Sequence, residues 1–279
     1  MTTGAPSLAN WHLTVAYDGA AYRGWQLQPS PIPTVQGVVV DALGTLFFDP
    51  PQSLSGTSRT DTGVHALDQH VTFRAVPPGN LAPHRIAAIL NRRLPGDVRI
   101  LHSERREDEF HARHNALAKA YVYTIRRKRP CPPFDSRYVW NCDYDFDAAV
   151  MVAAAKELVG THDFASFGVN PKREVDSTVC TLHRVDILEN DPYVHMVIVG
   201  DRFLYKMVRS IVGFLVDVGV DIAAPRGGAE HSRAVLRARN RSVAAETAPP
   251  TGLFLAKVFY QPNEWRTYTP PLPPHVAPW

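Results

Sequence analysis

Apolar and polar residues alternate along several short segments, and this period of two predicts β-strands. The segments predicted as strands are 11–17, 52–57, 68–75, 98–103, 118–126, 182–188, 193–201 and 253–260. Elsewhere apolar residues recur at the spacing of a helical face, which predicts helices over 35–47, 83–92, 146–159 and 203–218. Thr34 stands directly before the first helix, where its hydroxyl group suits an N-cap.

The order of these elements, strand-helix-strand-strand, occurs twice and predicts an α+β fold of two halves with antiparallel sheets. We place the halves at residues 11–108 and 109–264. Residues 1–10 are small and polar, and we expect them to be disordered. The Pro-rich tail at 265–279 has no amphipathic period, so we expect it to be extended and uncoupled from the core.

The composition narrows the class of protein. With 45% hydrophobic and 20% charged residues in 279, it is that of a soluble globular chain. No apolar run is long enough to cross a membrane, and the N-terminus lacks the layout of a signal peptide. The three cysteines have no metal-binding spacing. We therefore expect a cytoplasmic protein with reduced thiols and no membrane partner.

Positive charge is concentrated in one region of the chain. The formal net charge is only +3, yet residues 85–129 hold twelve Lys or Arg against five acids. This imbalance predicts a polyanionic partner, and the preference for arginine suits bidentate contacts with phosphates. A solvated, arginine-rich surface is the alternative that the sequence leaves open.

The segment Ser58–Ala66 (SRTDTGVHA) carries the candidate chemistry. Gly63 allows a sharp turn beside Asp61, because a glycine has no Cβ to clash at positive φ. Arg59 would keep the Asp61 carboxylate ionised. An ionised carboxylate on a rigid loop can act as a nucleophile, whereas an ordinary turn before a strand is the simpler interpretation.

Asp61-Thr62-Gly63 also matches the core of an aspartic protease. That mechanism needs two aspartates that share a proton, from a second triplet or from a symmetric homodimer. The chain has no second Asp-Thr-Gly or Asp-Ser-Gly, and Arg59 would oppose protonation of Asp61. Both observations argue against a protease.

A charged residue on a predicted helix and a pair of tyrosines on a predicted strand indicate a binding site. Arg209 lies among apolar residues of the predicted helix 203–218, where a charge needs a partner. Asp61 is our candidate partner, and extension of Arg209 to water is the alternative. Tyr121 and Tyr123 share one face of a strand, and we expect one to stack on an unpaired base and the other to be an ordinary half-buried residue.

Metal and cofactor sites are not predicted. His111 and His114 form only an H-x-x-H, and His102 adds no recognisable zinc pattern, so RNA contact or exposure is the favoured interpretation. The chain has no P-loop, no G-x-G-x-x-G and no G-x-S-x-G. We expect no cofactor.

Several ordered motifs resemble the TruA-type tRNA pseudouridine synthases over about 240 residues. These motifs are Tyr17-Asp18-Gly19, Tyr22–Gln26, Thr34-Val35-Gln36, Ser58–Ala66, Asn91, Leu94-Pro95, Asp97–Ile100, Phe110–Arg113, Lys119-Ala120-Tyr121, Phe203–Arg209 and Ala248–Leu253. Two positions depart from the family pattern. Ser58 replaces the usual glycine, so the backbone there should avoid positive φ, and Cys180 stands where relatives often carry an arginine, so one RNA contact would be missing.

The resemblance implies two ferredoxin-like halves whose sheets merge across a central basic cleft, usually in a homodimer. It also implies isomerisation of uridine to pseudouridine in the anticodon stem-loop of tRNA, at nucleotides 38–40, without a cofactor. A catalytically silent RNA-binding module or RNA chaperone is one alternative. The same isomerase acting on another RNA is the other.

The resemblance further implies roles for individual residues. Asp61 would be the nucleophile, Arg209 its ionic partner, Arg59 the residue that holds the flipped nucleotide, and Tyr121 the ring that stacks on uracil. Further contacts with the substrate are expected from Lys119, His111, Arg113, Arg126 and Arg127. Attack on the sugar carbon, addition to the uracil ring and removal of a sugar proton all stay open for Asp61.

Overall fold

The computed structural model describes residues 8–47, 50–76, 79, 81–127, 129–169, 177–220 and 228–276. The chain forms two compact units, Met1–Ala116 and Leu117–Trp279. We call them the N-terminal and the C-terminal unit. The sequence placed the change between halves at 108/109.

The N-terminal unit is an antiparallel sheet with two helices. Its elements are β1 (Ala9–Tyr17), α1 (Val35–Gly44), β2 (Gln52–Gly56), β3 (His65–Ala75), α2 (Arg85–Leu90) and β4 (Val98–Arg106). The strands lie in the order β4-β1-β3-β2. Apolar residues of β1, such as Trp11 and Leu13, are fully buried, and Trp11 contacts Phe47 just after α1 at 5.6 Å between ring centroids. Helix α1 buries Val35, Val39, Ala42 and Leu43, as the helical spacing of its apolar residues predicts.

The described residues of the C-terminal unit form a larger, mostly antiparallel sheet and three α-helices. Its elements are β5 (Ala118–Arg126), β6 (Trp140–Asn141), α3 (Ala148–Lys156), β7 (Gly160–Asp163), β8 (Val179–Asn190), β9 (Tyr193–Gly200), α4 (Met207–Val220), α5 (Gly228–Ala238) and β10 (Leu253–Phe259). The order is β10-β5-β9-β8-β7, and the short β6 runs parallel to β5. The α+β class with antiparallel sheets in two halves is confirmed.

Side chains alternate across β5 and separate two layers of core in this unit. Tyr121, Tyr123 and Ile125 lie on one face. The opposite face is a cluster of small and apolar side chains made by Ala118, Ala120, Val122, Val197, Val199, Ala256 and Phe259. We call this set the sheet-face cluster.

The tail packs on the sheet-face cluster, so the expectation that it is uncoupled from the core is wrong. Trp265, Tyr268 and Leu272 lie against the cluster, and Tyr268 contacts Phe259 at 5.3 Å between ring centroids. Arg184 Nη1 donates to the carbonyl oxygens of Trp265 and Tyr268, both at 2.8 Å. The prolines suggested an independent chain, but the aromatic rings between them cover apolar surface that water would otherwise meet.

Local signals predicted several boundaries and missed others. Thr34 caps α1 as predicted, because its Oγ1 accepts from Gly37 N at 3.2 Å. The predicted helix 203–218 begins only at Met207, after Lys206 at φ +60°. Helix α5 was missed because only Val235 and Leu236 are apolar residues on its buried side.

Chain ends and helix ends also differ from the prediction. Strand β1 already begins at Ala9, within the segment expected to be disordered, and residues 1–7 lie outside the described residues. Helix α3 ends at Lys156, three residues before the predicted bound of 159, and Gly160 starts β7 at φ +117°.

Candidate active site

The loop that carries Asp61 makes the turn predicted from its sequence. Gly63 has φ +79°, and Val64 N donates to the carbonyl oxygen of Asp61 at 3.1 Å. Gly24, at φ +89°, passes so close that a Cβ there would lie 2.7 Å from the Thr60 carbonyl oxygen. A side chain at Gly24 would therefore displace the residue that precedes Asp61.

Buried hydrogen bonds hold this loop on both sides of Arg59. Gln69 Nε2 donates to the Ser58 carbonyl at 2.6 Å, and Gln69 Oε1 accepts from Ser58 N at 3.1 Å. The hydroxyl groups of Thr60 and Tyr17 are 2.7 Å apart, and Trp25 N donates to the Thr60 carbonyl at 3.1 Å. The backbone that presents Arg59 and Asp61 is thus anchored before and after Arg59.

A third anchor lies just beyond the turn. Gly19 N donates to His65 Nδ1 at 3.1 Å, and the same ring nitrogen is 3.0 Å from Asp18 Oδ1. A Cβ at Gly19 would lie 1.9 Å from the Val64 carbonyl oxygen, so only glycine fits here. The backbone of Gly19 and the ring of His65 therefore hold the end of the loop.

The two charged groups of the loop differ in exposure. Asp61 is half-buried, and Arg59 is exposed. The arrangement gives a carboxylate that is fixed in position and reachable, which suits attack on a bound substrate. Ser58 is not among the described non-glycine residues with positive φ, which are Ser53, Lys206, Arg239 and Asn263, so the expectation for its backbone is confirmed.

The C-terminal unit holds the predicted aromatic residues on β5. Tyr123 is fully buried, and its hydroxyl group donates to the Pro249 carbonyl at 2.8 Å. Burial raises the pKa of Tyr123 well above its usual value, and the positive charge of Arg209 opposes this shift. Tyr121 is 8% exposed and meets Phe203 edge-to-face at 5.0 Å. Tyr123 is therefore a core residue, and stacking of Tyr121 on uracil stays a prediction.

Arg209 is half-buried on the first turn of α4. Its Nε donates to the Ala248 carbonyl at 2.8 Å, and Ala248 N donates back to the Arg209 carbonyl at 3.1 Å. The first bond orients the guanidinium group and argues against simple extension to water, and the second joins the two backbones. The predicted pair with Asp61 joins residues of different units and stays a prediction.

The histidine segment forms a local turn. His111 Nδ1 accepts from Arg113 N at 3.1 Å and from His114 N at 3.3 Å, and burial lowers the pKa of His111. The Arg113 side chain is exposed. Among the described residues, no group of three or more His, Cys, Asp or Glu side chains could hold a metal ion.

Arg126 and Arg127, expected to contact phosphates, already have carboxylate partners. Arg126 has a side chain only 12% exposed, and its Nε is 3.5 Å from Asp135 Oδ2. Arg127 Nη1 donates to Glu189 Oε2 at 2.8 Å. Contact of either residue with RNA would have to compete with these ion pairs, and their predicted role stays untested, as does that of the half-buried Lys119.

Cys180 lies in the interior of the C-terminal unit. The Cys180 thiol is buried, and burial raises its pKa to about 11, so it is a neutral group inside the unit. No helix in the described parts of the chain is long and apolar enough to cross a membrane.

Sequence reasoning missed the side chains that hold the Asp61 loop. Gln69 and Tyr17 lie on predicted strands, and their alternation indicated only that one face of each strand is buried. A buried glutamine was the available signal, because a fully buried amide needs partners.

An α+β protein with an anchored carboxylate loop and an excess of basic residues fits an RNA-modifying enzyme, and comparison with known proteins defines the family. A family model described as tRNA pseudouridine synthase matches residues 154–261. tRNA pseudouridine synthase A 1 of Protochlamydia amoebophila is 38% identical over 253 residues, which are 90% of this chain and 96% of that protein. tRNA pseudouridine synthase A 2 of Bacillus anthracis is 35% identical and covers 89% and 98%, respectively. The chain belongs to the tRNA pseudouridine synthase A family, a family of isomerases.

Proposed function

We propose that the protein converts uridine to pseudouridine in the anticodon stem-loop of tRNA, with Asp61 as the nucleophile. The N1–C1′ bond of the target uridine breaks and a C5–C1′ bond forms, while N1 gains a proton and C5 loses one. The atoms of the nucleotide are conserved, so the reaction needs no redox partner. The observation that carries the proposal is a half-buried carboxylate on a loop anchored on both sides, in a chain of this family.

Residues of both units have roles in the proposal. The exposed Arg59 holds the flipped nucleotide, and Tyr121 stacks on the target uracil. Arg209, oriented by Ala248, pairs with Asp61. Lys119, His111 and Arg113 add contacts with the RNA backbone or bases.

The proposal includes a homodimer that acts in the cytoplasm. Both statements are supported by the family resemblance, and the cytoplasm is also where tRNA is available. Sedimentation of the purified protein at several concentrations measures the oligomeric state directly, and a monomer at every concentration would contradict the homodimer.

Asp61→Asn tests the central role. The substitution keeps size and most hydrogen bonding but removes the negative charge, so we expect pseudouridine formation to fall below detection. Affinity for tRNA should stay within about tenfold, or about 1.4 kcal/mol, because other residues make the phosphate contacts. Pseudouridine is measured by chemical labelling of the tRNA, and affinity by filter binding.

Asp163→Asn is the matched control. Asp163 Oδ1 accepts from Ala165 N at 3.1 Å and from Thr178 Oγ1 at 2.6 Å, so its task is structural. We expect a lower melting temperature with turnover retained. Turnover by Asp61→Asn above a few per cent of the parent rate would reject the role of Asp61. A parent protein that binds tRNA without converting uridine would favour the silent RNA-binding module.

A further inference from the structure

Gln69 lies where the Asp61 loop leaves the sheet. Strands β2 and β3 pair Gly56 with Val71, and Thr57 N then donates to the His70 carbonyl at 2.9 Å. The next opposed pair is Ser58 and Gln69. There the backbone has left the ladder, and the Gln69 side chain makes both bonds to the Ser58 backbone, at 2.6 and 3.1 Å.

We propose that Gln69 is a positioning residue for Asp61, acting through the backbone of Ser58. The inference rests on the proposed role of Asp61. A primary amide presents a donor and an acceptor side by side, as a backbone partner does. The Gln69 side chain therefore takes the place of a backbone partner for Ser58. The loop can turn away from β3 while the N–H and carbonyl groups of Ser58 stay hydrogen-bonded.

Because both residues are buried, water cannot replace the hydrogen bonds between the Gln69 amide and Ser58. Gln69 is 0% exposed and Ser58 is 7% exposed. Without the amide, the Ser58 N–H and carbonyl groups would be left unpaired in the interior, which is unfavourable enough to move the backbone.

A shift at Ser58 would be passed to Asp61. After Arg59, Thr60 is hydrogen-bonded to Tyr17 and Trp25. Only Arg59 lies between the two fixed residues, so the backbone there cannot absorb a shift. A reacting group displaced by a fraction of an ångström to 1 Å loses much of its rate, even when the substrate still binds.

Gln69→Leu removes both bonds and keeps an apolar side chain of similar bulk. The experiment measures the single-turnover rate constant of pseudouridine formation at saturating tRNA, together with the dissociation constant for tRNA. We expect the rate constant to fall at least about tenfold because the carboxylate is misplaced. The dissociation constant should change less than about threefold, since phosphate contacts are untouched.

Asn91→Leu is the control for a merely structural effect. The Asn91 amide makes the same pair of bonds to the backbone of Ile100, both at 2.8 Å, on strand β4. We expect both leucine variants to melt at lower temperature. Only Gln69→Leu should lose rate, and an equal loss in Asn91→Leu would overturn the proposal.

Gln69→Glu adds a readout that depends on protonation. A carboxylate accepts from Ser58 N but repels the Ser58 carbonyl, whereas a protonated carboxyl group both donates and accepts, as the amide does. Burial raises the pKa of a carboxyl group placed here. We therefore expect the rate of Gln69→Glu, relative to the parent at the same pH, to rise as the pH falls. A ratio independent of pH would overturn the proposal.

Failure of this inference differs from failure of the proposed function. Parent protein without turnover, or full turnover by Asp61→Asn, would reject the proposed function. Parent rate constants in Gln69→Leu, with Asp61→Asn inactive, would reject only the role of Gln69.

Discussion

At the scale of single residues, the turn at Gly63 and the amide group of Gln69 together hold the loop that carries Asp61. Gly63 beside Asp61 indicated a turn, and its φ of +79° bears this out. Gln69 is eleven positions from Ser58, and the alternation of its strand indicated that it is buried but not which residue it binds. A turn depends on the backbone preferences of adjacent residues, whereas a hydrogen bond depends on where the fold brings distant ones.

His195 gives a prediction about pH. Burial, assisted by the nearby His275, lowers the pKa of His195 from 6.5 to about 4. Between these values the unfolded chain binds a proton that the folded chain does not, so the free energy of unfolding should decrease as the pH falls from 6.5 towards 4. The contribution of His195 is about 3 kcal/mol over this interval. Denaturant unfolding at a series of pH values measures it.

Substitution isolates the contribution of His195. His195→Leu removes the proton-binding group, whose Nε2 has no hydrogen-bond partner among the described residues, and should flatten the dependence on pH below 6.5. The exposed His84 is the control, and His84→Leu should leave the curve as in the parent protein. An unchanged slope in His195→Leu would mean that other groups produce the acid sensitivity.

At the scale of elements, periodicity predicted the segments that face one buried layer. Strand β5 was predicted at its observed bounds, because Tyr121, Tyr123 and Ile125 alternate with smaller residues. The short strand β7 and helix α5 were not predicted, because their buried faces have few apolar residues. Such elements are stabilised by packing against neighbouring elements, and their own apolar periodicity is too weak to predict them.

Packing of the tail gives a prediction at this scale. Removal of residues 267–279 uncovers the sheet-face cluster by deleting Tyr268 and Leu272, and it also deletes His275, which stacks on Tyr138 at 5.2 Å. We expect the free energy of unfolding to drop by about 2–3 kcal/mol, because two partly buried side chains are lost and the cluster they cover meets water. Thermal and denaturant unfolding check this value.

Two point variants support the truncation experiment. Tyr268→Ala removes the ring that meets Phe259 and should reproduce a large part of the loss. Phe134→Ala removes a ring that is 87% exposed and should change stability by less than about 0.5 kcal/mol. A truncated protein as stable as the parent would restore the expectation of an uncoupled tail.

At the scale of the whole molecule, the basic excess in residues 85–129 predicts binding of tRNA that weakens steeply with salt. The structure changes which arginines we expect to contribute. Arg92 and Arg93 are exposed, whereas Arg126 and Arg127 are engaged with carboxylates. Replacing Arg92 and Arg93 by alanine should make the slope of log K against log salt shallower by about one unit per lost contact.

The matched comparison replaces Arg126 and Arg127 by alanine. This variant should lose stability, because Asp135 and Glu189 each lose an arginine partner, and should change the salt slope less. Titration of labelled tRNA at several salt concentrations measures both slopes. The opposite order of effects would place the RNA path along Arg126 and Arg127, as the sequence alone suggested.

The sequence by itself determined the α+β class, most strands and helices, the Thr34 cap and the turn at Gly63. Each depends on residues that are close in the chain, so each leaves a local pattern. Only the tertiary structure decided that the Gln69 side chain hydrogen-bonds the Ser58 backbone and that Asp135 forms an ion pair with Arg126. It also decided that the tail covers the sheet-face cluster. These contacts join distant positions whose side chains would look ordinary in any other neighbourhood, and only the folded chain brings them together.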